Sequence, residues 1–201
     1  MINKHFKIAA FALLSLILFS CTIRDFESLP TYSDNHFIQA VIEIPAGTNH
    51  HIEYNSEYHR FSVAQIHGKE EIVHFLPAPG NYGFITSTCF KRDNMGHMEA
   101  LDILVLGETI PTGSVMEVTL IGILTLKDHD GLDHKIIAVP ADTNRRVIDA
   151  DNLYGFEARF PMAKHLIEEW IVAVKSLDSV QVIGWQDELA AMQVINKWTI
   201  K

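Results

Sequence analysis

The sequence predicts an α+β fold, a closed sheet or barrel of short strands with helices packed on its outside. Three observations predict it. Between residues 38 and 140 the apolar runs are short and separated by Pro and Gly turns, with no helical period among them. Helical spacing appears only late, over residues 161–175 and 187–198. The 201 residues are 48% hydrophobic, enough for one sizeable core.

The elements follow in order. Lys4 and Lys7 precede an apolar run over residues 8–19 that is too short for an ordinary membrane span. The run ends Phe19-Ser20-Cys21, which resembles a bacterial lipoprotein cleavage box with Cys21 as the lipidated first residue. An uncleaved anchor and a plain signal peptide are the alternatives. Residues 1–20 are thus read as a lipoprotein signal peptide, 21–37 as a tether and 38–201 as one domain. The strand over residues 38–44 is stopped by Pro45, and residues 52–54 and 60–66 are strand-like. Residues 75–85 are a Pro/Gly-punctuated approach to another strand, and 91–96 form a polar loop. Pro111-Thr112-Gly113 makes a turn before the long β-branched run 114–126. Residues 144–160 show no clear period, with a turn or short helix start at 149–151. The helix from Pro161 has Met162, Leu166, Trp170 and Val174, with Ala163, Ile167 and Ile171, on one apolar face. A last strand covers 180–185, and Asp187 caps the final helix.

Charge narrows the functions. The net charge of −9 argues against nucleic acid as a partner. Two Cys make no disulfide framework, and Cys89 reads as a small buried hydrophobe. Acidic residues gather beside apolar strands instead. Asp102 stands at the entrance of the run 103–106, with Glu99 three residues earlier. Asp128-His129-Asp130-Gly131-Leu132-Asp133-His134-Lys135 precedes the run 136–139. A carboxylate at the mouth of a buried strand is costly unless a cation or a donor meets it. Oxygens from several loops are how hard divalent cations are held. The simpler reading of Asp102, Asp128 and Asp133 is that they cap backbone N–H groups in turns.

Five stretches carry a family resemblance: Val41-Ile-Glu-Ile-Pro-Ala46, Pro79-Gly-Asn-Tyr-Gly-Phe84, Ala100-Leu-Asp-Ile-Leu-Val105, Pro111-Thr-Gly-Ser-Val115 and Lys135-Ile-Ile-Ala-Val-Pro140. Their order and spacing resemble the soluble family I inorganic pyrophosphatases. The resemblance covers nearly all of the chain after residue 37. With Ser28-Leu29-Pro30-Thr31 after Cys21, it is most similar to the lipoprotein branch of Bacteroidetes-type bacteria. It implies a five-stranded OB-like barrel flanked by helices, and hydrolysis of inorganic diphosphate to two phosphates with Mg²⁺ ions. It implies that Glu43, His97, Asp102, Asp128 and Asp133 stand at metal positions. Glu99, Asp102, Tyr82 and Lys135 stand at catalytic positions, and His51, Tyr82, Lys135 and Lys175 at positions that touch phosphate. Glu53 keeps a supporting carboxylate. The family assembles as dimers or hexamers, which leaves a homo-oligomer open. A lipidated Cys21 would tie the chain to a membrane of the cell envelope; a cytoplasmic protein is the alternative.

The pattern is degraded where chemistry happens. His97 and Glu99 replace two Asp of the family's acidic loop, and His129 stands where a carboxylate usually follows Asp128. His51 replaces a Lys, Glu71 (or Glu70) an Arg, Ala78 an aromatic hydroxyl and Val174 a Tyr. A glutamate in place of an arginine repels phosphate. Three readings follow: a working pyrophosphatase, whose His residues would suit Mn²⁺, Co²⁺ or Zn²⁺ better than Mg²⁺; a weak or dead enzyme that keeps the fold and binds metal or phosphate; and a structural envelope protein.

Overall fold

The computed structural model describes residues 25–91, 98–175 and 180–200. His97 and the proposed signal peptide, Cys21 included, lie outside the described residues. The chain runs β1 (Ile38–Ile44), then β2 (Ile52–Asn55) paired with β3 (Arg60–Val63), and β4 (Gln65–Ile66) paired with β5 (Lys69–Glu70). Next come β6 (Asn81–Ile85), β7 (Phe90–Lys91) paired with β8 (Met98–Glu99), β9 (Asp102–Val105), β10 (Val115–Lys127) and β11 (Leu132–Pro140). Helices α1 (Leu153–Arg159) and α2 (Pro161–Val174), strand β12 (Gln181–Asp187) and helix α3 (Glu188–Trp198) complete it.

The sheet order is β1-β6-β9-β11-β10-β12, and β1 also pairs with β10. Five strands therefore form a ring of pairings, and β12 extends β10 beyond it. Within the sheet β9 and β11 run parallel, and the other pairs are antiparallel. Alternate side chains of each strand fill two cores. On one side Ile42, Ile103, Val105, Ile123 and Ile136 pack with Ile195 of α3. On the other Leu104, Leu124, Leu126 and Ile137 pack under Phe156 of α1 and Ile167 and Trp170 of α2. Strands buried on both sides are apolar throughout, which is why residues 103–106 and 136–139 read as continuous runs. Gly83 belongs to this packing, since a Cβ there would lie 1.9 Å from the carbonyl oxygen of Val41 on β1.

Several expectations are corrected. The buried stripe of α2 is Ile167, Trp170 and Ile171, whereas Met162 and Leu166 are 66% and 57% exposed. Residues 153–159 form a helix that the sequence did not announce, capped by Asn152 Oδ1, which accepts from Gly155 N at 2.7 Å. Residues 128–135 are not one loop: β11 begins at Leu132, so Asp133 and Lys135 sit on a strand. The described part of the segment read as a tether is packed: Thr31 is buried and donates Oγ1 to Thr86 O at 2.9 Å. Asp187 caps α3 as expected, accepting from Ala190 N at 2.9 Å. Among the described residues no helix is long and apolar enough to cross a membrane.

Candidate active site

The acidic residues meet where β9 and β11 begin. In the parallel register Asp102, first residue of β9, lies directly opposite Lys135. The Lys135 ammonium, its side chain 5% exposed, donates to Asp102 and lies 3.0 Å from Asp133 Oδ1. Asp133 and Lys135 are two apart on β11, so both side chains fall on one face of it. The Lys175 ammonium, just past the end of α2, donates to Asp133 and, at 3.4 Å, to Asp128 Oδ2. The result is an alternating chain: Asp102, Lys135, Asp133, Lys175, Asp128.

Burial makes this arrangement obligatory. Charges removed from water persist only when paired and hydrogen-bonded. Burial would raise the Asp133 carboxyl, but the Lys135 and Lys175 ammoniums outweigh it and hold the pKa at about 2. Burial works against the Lys135 charge in the same way, yet Asp102, Tyr82 and Asp133 keep its pKa well above the usual lysine range. Asp128 does two jobs: its Oδ1 accepts from Asp130 N at 3.0 Å and Gly131 N at 3.2 Å, while its Oδ2 faces Lys175. The turn-capping reading holds for it, alongside its pairing with Lys175. Gly131 takes φ 136° to close that turn.

Tyr82 on β6 lies beneath the cluster, with Lys135 Nζ 5.7 Å from its ring centre. Burial, then the charge of Asp102, pushes its hydroxyl well above the ordinary tyrosine value, so it stays protonated. Glu43 near the end of β1 accepts from Tyr54 N at 2.7 Å, and its carbonyl oxygen accepts from Thr112 Oγ1 at 2.7 Å. Burial raises the Glu43 carboxyl to about 8, with Asp102 adding to the shift.

Other expected site residues sit differently. Glu99 lies exposed on β8, outside the Lys135–Lys175 chain. His51 is clasped by carboxylates: Nδ1 is 2.8 Å from Glu71 Oε2 and Nε2 is 3.5 Å from Glu53 Oε1. Asp130 was not singled out by sequence reasoning. Asp128, His129 and Asp130 nevertheless each bring one ligand atom within 4.8 Å of the others. Their adjacency in a Gly-terminated turn was the available signal.

The donor set suits divalent cations. Asp102, Asp128 and Asp133 set three carboxylates against two ammoniums, with Glu43 beside them, and carboxylate oxygen is the ligand of hard cations.

The family profile described as inorganic pyrophosphatase matches residues 40–201. The chain belongs to the inorganic pyrophosphatase family. It is 32% identical over 166 residues to the inorganic pyrophosphatase of Campylobacter jejuni, covering 80% of this chain and 88% of that one. It is 30% identical over 169 residues to that of Thermus thermophilus, covering 79% and 86%. The crystal structure of the Thermus thermophilus inorganic pyrophosphatase superposes with a TM-score of 0.73 at 27% identity, over 88% of this chain and 97% of that one. That from Neisseria gonorrhoeae superposes at 0.70 with 30% identity, over 87% and 97%. The family works with divalent metal, which fits the carboxylate set found here.

Proposed function

We propose that this protein hydrolyses inorganic diphosphate to two phosphates at the Asp102–Asp128 cluster, with Mg²⁺ as the first choice of metal. The observation that carries the reading is the buried alternation of three aspartates and two lysines at one end of the strand ring, in a chain of this family. Asp102, Asp128, Asp133 and Glu43 would hold the cations. When bound, these offset the charge of diphosphate and acidify water. Lys135 and Lys175 supply ammonium donors to phosphoryl oxygens, where charge-assisted hydrogen bonds are strong. Tyr82, kept protonated by burial, supplies a neutral O–H donor. Asp102, at 31% the most exposed of the three clustered aspartates, would accept a proton from attacking water.

A weaker enzyme, or a scaffold that binds metal and phosphate without turnover, is the second reading. It is favoured by His51, which faces Glu71 and Glu53 where the family resemblance implies a cationic phosphate contact. Further parts of the proposal are the OB-like barrel formed by the strand ring, a signal peptide over residues 1–20, a lipidated Cys21 and a place in the cell envelope; they rest on the Lys4, Lys7 and Ser20-Cys21 pattern and the family resemblance. A homo-oligomer is part of the same expectation. The test is phosphate release from diphosphate by the full chain with Mg²⁺, Mn²⁺, Co²⁺ and Zn²⁺ in parallel, and Asp102→Asn as control. Metal-dependent turnover that vanishes in the control supports the enzyme. No turnover above the control with any metal leaves the binding scaffold.

A further inference from the structure

We propose that the segment over residues 25–31 is a strap that seats the β2–β3 hairpin, and that its Phe26 thereby positions Glu43 as a metal ligand. This deepens the reading above and rests on it for the role of Glu43. The strap lies outside residues 40–201, the part matched by the family profile.

The hairpin needs a seat. β2 and β3 pair with each other and are not part of the six-stranded sheet. Two strands alone are marginally stable in water, so packing decides where they lie. Yet this hairpin carries the backbone donor that fixes the Glu43 side chain: Tyr54 N donates to Glu43 Oε1 at 2.7 Å. A carboxylate that has to meet a cation is only as well placed as the group that orients it.

The strap is anchored at one end and clasps at the other. Pro30 O accepts from Thr86 Oγ1 and from Gln39 Nε2, each at 2.7 Å, and Leu29 O accepts from Ser87 Oγ at 2.8 Å. Ser87 N donates to Glu27 O at 3.0 Å. These partners belong to β1 and to the residues just after β6, so the anchored end moves with the ring of strands. The other end lies on the hairpin. Phe26 N donates to the Tyr54 hydroxyl at 3.3 Å, and its ring meets those of Tyr54 and Phe61 edge-on, with centres 5.4 and 5.2 Å away. Tyr54 stacks in turn on Phe84 of β6, the register partner of Asp102, with centres 6.0 Å apart. Aromatic pairs in these geometries hold more strongly than their buried area alone provides.

The same ring reaches the second support of Glu43. The Glu43 carbonyl oxygen is held by Thr112 Oγ1, and the next residue, Gly113, takes φ 81° in the turn. A Cβ at Gly113 would lie 3.2 Å from the Phe61 ring and 3.8 Å from the Phe26 ring. Phe26 thus packs against both supports, the hairpin that holds the side chain and the turn that holds the backbone.

The test reads the seat and the ligand separately, in the full chain and without diphosphate. Hydrogen exchange at the Tyr54 amide, followed by NMR, reads the seat. The affinity for Mn²⁺, from the EPR signal of the free ion, reads the ligand. Phe26→Ala should speed exchange at Tyr54 by about tenfold, while amides of the β10–β11 ladder keep their rates. It should also weaken Mn²⁺ binding by about tenfold, the scale for lost support behind a ligand. Phe26→Leu, which keeps an apolar side chain against Tyr54, should restore most of both. In a Glu43→Gln background, Phe26→Ala should leave Mn²⁺ affinity nearly unchanged, because the carboxylate it positions is gone. Phe156→Leu, in the core under α1, is the control for lost stability alone and should bind Mn²⁺ like the wild type. Unchanged exchange at Tyr54 in Phe26→Ala, an equal loss of Mn²⁺ affinity with and without the Glu43 carboxylate, or the same loss in Phe156→Leu would each overturn the proposal. A wild type that binds no Mn²⁺ would overturn the functional reading and the ligand role of Glu43 together, and exchange at Tyr54 would still decide whether the strap seats the hairpin.

Discussion

Lys135 and Asp102 are register partners across the parallel seam of the sheet, and their side chains close an ion pair at its mouth. The pair ties the fold to the site, because the seam that joins β9 to β11 also sets the distance between a carboxylate and an ammonium. Asp133, two residues before Lys135 on the same strand, extends the pair inward.

Removal of Lys135 should therefore cost stability as well as activity. Lys135 and Asp133 are each 5% exposed, and breaking such a pair by removing one partner costs about 3–5 kcal/mol. Lys135→Met is expected to lower the free energy of unfolding in urea by about that amount. Combining it with Asp133→Leu should recover part of the loss, since no buried charge is then left alone on β11. An additive double variant would show that the two side chains do not communicate.

Asp133 should also govern the acid limb of stability. Its folded pKa is held at about 2, below the ordinary 3.8. The stabilisation is thus present above the unfolded value and is lost as pH falls through about 2. On the order of 2 kcal/mol should disappear between pH 4 and pH 2. Denaturation curves of the wild type and Asp133→Asn at stepped pH should converge in that window. Curves that stay parallel would exclude Asp133 as the titrating group.

That these charged residues gather was legible in the sequence, for a physical reason. Asp102, Asp128, Asp133 and Lys135 are charged residues set against apolar runs, and a charge beside a buried strand needs a partner. What could not be read was which partner. The pairing of Asp102 with Lys135 depends on a parallel register between strands 33 residues apart, and residue period says nothing about register. The clasp of His51 by Glu71 has the same origin, since it depends on a chain reversal between them. Helix α2 carries apolar residues on two adjacent stripes. Only the position of the sheet decides that Ile167 and Trp170 are buried while Met162 and Leu166 face outward. Helix α1 escaped because it is seven residues long with one buried side chain, Phe156, too few to mark a period.

Glu43 predicts an opposite pH effect in the metal-free protein. Burial raises its carboxyl to about 8 from the ordinary 4.5. The stability tied to its protonated form is complete below about pH 4.5 and is lost as pH rises through about 8. In EDTA, the wild type should lose unfolding free energy relative to Glu43→Gln across that interval, with the difference levelling off above it. Added divalent cation should shrink the difference, because a ligated carboxylate no longer faces burial alone. A constant difference from pH 5 to pH 9 would contradict the raised pKa.

The clasped His51 makes the last prediction. Glu71 Oε2 lies 2.8 Å from its Nδ1 and Glu53 Oε1 lies 3.5 Å from its Nε2, so the rim where a cation is expected to meet phosphate offers two carboxylates. An anion approaching there meets like charge in a partly desolvated setting, where repulsion is only moderately screened. His51→Lys with Glu71→Arg exchanges that rim for two cations. Both positions are partly exposed, at 38% and 33%, so the longer side chains have room and the fold should keep its melting temperature within a few degrees. One donor to a charge-bearing phosphoryl oxygen contributes on the order of 10²-fold in rate. The double substitution is thus expected to raise kcat/KM for diphosphate by about that factor, with most of the gain lost again at high ionic strength. Steady-state phosphate release by the two proteins, at low and high salt, measures it. An unchanged or lower kcat/KM would mean that the clasp does not border the diphosphate, and that His51 and Glu71 belong to the support of β2 instead.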